Sequence, residues 1–168
     1  MIDFFHKGAS MTKKITGVAK IKGAPDIETH PKSRVTRIGT FFDEEDAVAS
    51  ILLEVADTPE LRKVGLMWRS SLPDICGMLF DGLSGGGYFW MRNCLIPIDV
   101  AFLSGDGTIT KIYSMPIDKE GKNRYNYGED DKSAIEVNMG FLKKNGIKPG
   151  FRFESRALAG KEGLNGKD

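Results

Sequence analysis

The first limit on the chemistry open to this chain is where its histidines lie. There are two, His6 and His30, both near the start of the sequence. The rest of the chain therefore has no imidazole to serve as base for a serine or cysteine nucleophile. Gly82-Leu83-Ser84-Gly85-Gly86 formally matches a nucleophile elbow. That pattern needs a helix after the serine and a histidine base, whereas Gly87 and an aromatic run follow, so it reads as a loop. Gly85-Gly86-Gly87 lacks the Gly-Lys-Ser/Thr ending of a phosphate loop. Cys76 and Cys94 cannot form a tetrahedral zinc site without nearby histidines. Cys76 sits at the edge of the apolar run Met78-Leu79-Phe80, where a small buried hydrophobe is expected and not a reactive thiol. Neither a metal nor a cofactor is expected.

One polar constellation survives this elimination. Arg62 and Arg69 flank the end of a helix, Arg92 and Asn93 follow the aromatic run ending at Trp90, and Asp99 lies between Ile98 and Val100. An aspartate among apolar strand neighbours must face out or be paired, because a buried unpaired charge costs several kcal/mol. The structural expectation is an Asp99–arginine pair locking helix to sheet. The functional alternative is a small anionic or polar ligand held by Arg69 and Asn93 beside Trp90.

The elements that would position these groups follow from local pattern. Ile51–Ala56 has the β-branched and apolar content of a strand. Asp57 is expected to cap a helix that starts at Pro59, with Glu60 in a capping-box position. Leu61, Val64 and Trp68 share one face, and Ser70-Ser71-Leu72-Pro73 ends the helix after two to three turns. Met78–Phe80 and Tyr88–Met91 read as strands. Pro97–Leu103 and Thr108–Ser114 flank Ser104-Gly105-Asp106-Gly107, a hairpin signal. Pro116–Lys132 reads as a polar loop and Ala134–Val137 as a strand. Met139–Asn145 reads as a short helix stopped by Gly146, and Phe151–Glu154 as a last strand. With 20 glycines in 168 residues, tight turns dominate. The expected fold is α+β, mainly antiparallel β in a compact sheet or partial barrel, with two short helices and an extended N-terminal arm.

Domain organisation is read as a basic arm over 1–46, a β-rich domain over 47–156 and a polar tail over 157–168. Residues 1–40 carry eight basic residues against three acidic ones, although the whole chain has a net charge of +1. Lys13, Lys14, Lys20, Lys22, Arg34 and Arg37 are the expected partner contacts of this arm. An acidic protein face or, more weakly, nucleic acid would suit them. No apolar run is long enough to span a membrane, and Met1–Lys14 has no secretory apolar core. The expected setting is cytoplasmic or part of a virion, with free thiols. Translation could start at Met1 or Met11.

Three separated blocks carry a resemblance. The first runs from Glu54-Val55-Ala56-Asp57-Thr58-Pro59-Glu60 through Arg62, Gly65-Leu66-Met67 and Arg69 to Gly77-Met78-Leu79-Phe80. The second is Phe89-Trp90-Met91-Arg92-Asn93 with Ile96-Pro97-Ile98-Asp99-Val100-Ala101-Phe102. The third is Ile135-Glu136-Val137 with Gly146-Ile147-Lys148-Pro149-Gly150. In order and spacing, over about residues 51–155, they resemble the bacterial and archaeal family called domain of unknown function 192. The resemblance implies a compact, mostly antiparallel β domain and no established activity. This chain differs by its basic arm, by lacking the export signal many members carry, and by Cys94 where a threonine is usual. The expected function is non-enzymatic binding or assembly, as a structural component of a larger complex such as a viral particle, tethered by the arm. The alternative is a small-ligand-binding or enzymatic domain using Arg69, Trp90, Asn93 and Asp99.

Overall fold

A computed structural model of the chain describes residues 35–158. Eleven elements follow one another: β1 (Val35–Asp43), β2 (Asp46–Ala56), α1 (Pro59–Val64), β3 (Cys76–Asp81), β4 (Gly87–Phe89), β5 (Ile98–Ser104), β6 (Ile109–Met115), β7 (Tyr125–Tyr127), β8 (Asp131–Asn138), α2 (Phe141–Lys144) and β9 (Arg152–Ala157). Seven strands form one sheet in the order β6-β5-β8-β3-β2-β1-β9, and β4 pairs with β7 in a separate two-stranded sheet. Only β2 and β3 run parallel within the large sheet. The α+β, mainly antiparallel architecture expected from sequence is what forms. No described helix is long and apolar enough to cross a membrane.

The sheet does not close into a barrel, but its two edges meet at one corner. Thr108 bridges Arg152. The Ile109 amide donates to Phe151 at 2.7 Å and the Phe153 amide to Gly107 at 2.8 Å. Gly107, at φ +83°, permits this approach: a Cβ there would lie 2.5 Å from the Phe153 carbonyl oxygen.

Residues 35–46, assigned from sequence to the arm, belong to the sheet. β1 pairs with β2 across the two-residue turn Glu44-Glu45 and with β9 on its other side. Arg37 is spent within the fold, donating from Nε to Ser155 Oγ at 2.9 Å and from Nη2 to the Ser155 carbonyl at 2.8 Å. It fastens β1 to β9. Lys13, Lys14, Lys20, Lys22 and Arg34 lie outside the described residues.

α1 is shorter than expected, and its cap is Thr58 instead of Asp57. Thr58 Oγ1 accepts from the Leu61 amide at 3.2 Å. Gly65, at φ +50°, stops the helix after six residues, and Trp68 at φ +64° turns the chain again. The run Tyr88–Met91 is also shortened: pairing ends at Phe89, leaving Trp90 in a loop.

Because the central strands are covered on both faces, β3 is buried from Cys76 to Phe80. One face packs Met78, Phe80, Val100, Phe102 and Met115 under α1, the following loop and the β4–β7 pair. The other packs Phe41, Leu53, Leu79, Ile135 and Phe153 under α2 and the segment leading into β9.

Candidate functional site

Strand register places two glutamates on the first of these faces. Met78 lies opposite Glu54 of β2 on one side and Glu136 of β8 on the other. Residues directly opposite in a ladder point the same way, so both side chains flank Met78 from backbones about 10 Å apart, two strand spacings. Each is only 5% exposed.

Arg69 reaches down onto this row from the loop after α1. Its Nη1 and Nη2 donate to Glu54 Oε1 and Oε2 at 2.5 and 2.7 Å, a two-pronged pair. Burial works against the guanidinium's charge, but the Glu54 hydrogen bonds and the field of Glu54 and Glu136 outweigh it and raise its pKa. The Glu136 carboxyl accepts no hydrogen bond from the described residues. Burial pushes its carboxyl up to about 8, offset only in part by Arg69. At neutral pH Glu136 therefore keeps its proton.

Above Glu136 opens a cleft of about 460 Å³. Leu66, Met67, Phe80, Leu83 and Phe89 line its walls, Arg62 and Lys63 of α1 its rim, and Trp90 and Tyr88 its mouth. Arg124, just before β7, lies with its Cζ 4.7 Å from the Tyr88 ring and 5.0 Å from the Trp90 ring. The Arg92 Cζ is 5.5 Å from Trp90. The aromatic faces at the mouth thus already carry guanidinium groups.

Cys76 and Cys94 are free and buried. Burial raises both thiols, Cys94 to about 12 with the help of Glu136, and Cys76 with a smaller contribution from Glu54. Neither is a thiolate nucleophile at neutral pH, consistent with their place in the apolar cluster. Among the described residues, no group of three or more histidines, cysteines or carboxylates could hold a metal ion.

The five residues expected to form a site are brought together only in part. Arg62 and Trp90 line the cleft. Arg62 Nη1 donates to the Asp57 and Asp81 carbonyls at 2.9 and 2.6 Å, tying α1 to the end of β3. Asn93, at φ +61°, accepts at its carbonyl from the Trp68 amide at 2.9 Å, joining two loops, and its Nδ2 donates to the Met67 sulfur of the cleft wall at 3.9 Å. Asp99 is buried at 2% exposure, on the opposite face, in register with Val137. Its partners are not arginine. Oδ1 accepts from Ser114 Oγ at 2.6 Å and Oδ2 from the Gly140 amide at 2.8 Å. The arginine lock exists, but its carboxylate is Glu54.

The missed residues are Glu54 and Glu136. Each stands inside an apolar strand run, in Leu53-Glu54-Val55 and Ile135-Glu136-Val137. The reasoning applied to Asp99 would have singled out both.

Two solved structures resemble this fold. A Sinorhizobium meliloti 1021 protein, described as "a putative transcription regulator", is 28% identical, with a TM-score of 0.67 over 74% of this chain and 96% of its own. A protein of unknown function from Novosphingobium aromaticivorans DSM 12444 is 27% identical, with a TM-score of 0.60 over 71% of this chain and 83% of its own. A search of the curated proteins finds no match. The family model described as Uncharacterized ACR matches residues 41–155, from β1 into β9, and the chain belongs to that family, domain of unknown function 192.

Proposed function

We propose that this domain binds a small molecule in the cleft above Glu136. One observation carries the reading: a carboxyl 5% exposed, lining the cleft, accepts no hydrogen bond among the described residues. Buried polar groups are almost always satisfied, and an exception in a concave, apolar site marks a place where a ligand completes the set. A carboxyl shifted this far by burial in a cleft is also a mark of functional sites. The assembly role expected from the basic arm rests mostly on residues outside the described ones.

The test is a fragment screen on the full chain by protein-observed NMR. Binding fragments should shift the amides of Leu66, Met67 and Phe89, and Glu136→Leu should remove those shifts while the fold persists. Fragments that bind only elsewhere, or none that bind, would sink the reading.

A further inference from the structure

We propose that the cleft selects an uncharged, flat molecule bearing an amide or lactam edge, which Glu136 meets with a pair of hydrogen bonds. The inference rests on the cleft being a ligand site and goes on to assign the chemistry of its occupant.

The charges around the cleft argue it by elimination. An anion would need a cation on the floor, and Arg69 already has both Glu54 oxygens on its guanidinium. Arg62 points Nη1 at two main-chain carbonyls. A cation would seek the aromatic faces at the mouth, but Arg124 lies against Tyr88 and Trp90, and Arg92 against Trp90. An uncharged ligand faces neither obstacle, and the apolar walls suit a ring. Glu136 with its proton presents one O–H donor and one carbonyl acceptor side by side. The complement of that edge is a carbonyl beside an N–H, as in an amide.

Other groups on this side do not blur the titration that the inference predicts. Arg69 and Glu54 are locked together, and Lys63 sits at the exposed rim. The Cys76 and Cys94 thiols stay protonated where Glu136 titrates. Tyr127 also lines the cleft, Tyr113 and Tyr125 pack against the same cluster, and burial raises the phenol of Tyr125.

The experiment titrates the full chain with benzamide, benzamidine and benzoate, matched in shape and differing in charge. Each is read by NMR shifts of the cleft amides well below and well above the Glu136 transition near 8. Benzamide should bind at the lower pH and weaken at least about tenfold at the higher, as the donor proton is lost. Glu136→Gln, whose carboxamide keeps a donor and an acceptor, should bind benzamide without that pH dependence. Preference for benzamidine or benzoate, or benzamide binding that ignores pH in the unaltered protein, would overturn the assignment while leaving the cleft a ligand site. If none of the three moves a cleft resonance, both the assignment and the site reading fall.

Discussion

The two faces of the central sheet are built from the same strands yet solve different problems. Toward α2, Phe41, Leu53, Leu79, Ile135 and Phe153 fill the space, and Phe41 meets the Phe153 ring at 4.8 Å. Asp99, a buried acid placed there, has both oxygens engaged, by Ser114 and the Gly140 amide. Toward α1, the register that would have continued an apolar row instead sets Glu54 and Glu136 either side of Met78. One acid is answered by Arg69 and the other is not. A sheet can thus hold stability on one face and a costly polar group on the other. Alternation of side chains along each strand keeps the two sets apart.

Breaking the apolar face should have the largest effect. Phe41→Ala is expected to lose about 3–5 kcal/mol in urea unfolding, because the vacated space is walled by rings that cannot collapse into it. Binding in the cleft by the remaining folded protein should not change. Altered cleft affinity would mean that the faces are not independent.

Next comes the Arg69–Glu54 pair. Arg69→Ala should cost about 3 kcal/mol by leaving Glu54 buried without its partner. Replacing both together, as Arg69→Met with Glu54→Leu, should recover most of that loss by making this face resemble the other. A melting temperature unmoved by Arg69→Ala would contradict the locking role.

The last prediction is a trend with pH. The Glu136 carboxyl is raised in the folded protein from 4.5 to about 8, so the folded state holds this proton more tightly than the unfolded chain. Its cost to stability is absent at acid pH, grows as pH rises across that window, then levels off. Glu136→Gln should therefore match the parent at acid pH and exceed it increasingly up to about 8. A difference that stays flat with pH would mean that Glu136 is charged in the fold.

Most of the sheet was legible in local pattern. The β5–β6 hairpin has its glycine-rich turn, and the α2 stop at Gly146 takes φ +68°. The β1–β2 hairpin was not legible, because its turn is Glu44-Glu45, without the asparagine or glycine that marks two-residue turns, and Glu44 adopts φ +53° under tertiary constraint. Trp90 was read as strand because aromatic residues favour strands, whereas β7 supplies only a three-residue partner. The sequence marks Asp99 as facing out or paired, and leads one to expect an arginine against a carboxylate. Which partner each has depends on pairing between β2, β3, β5 and β8, far apart in sequence, and no spacing rule reaches that far.

The pairing of β1 with β9 has a mechanical consequence. Residue 37 lies opposite residue 157, and the Leu158 amide donates to the Thr36 carbonyl at 2.8 Å. The chain therefore enters and leaves the sheet side by side, at the same end of neighbouring antiparallel strands. Tension applied through these two points loads the ladder one hydrogen bond at a time, as in unzipping, and never shears the whole row at once. The domain should yield at low force by peeling β9 from β1, while the cleft on the far side of β3 stays folded during the first steps.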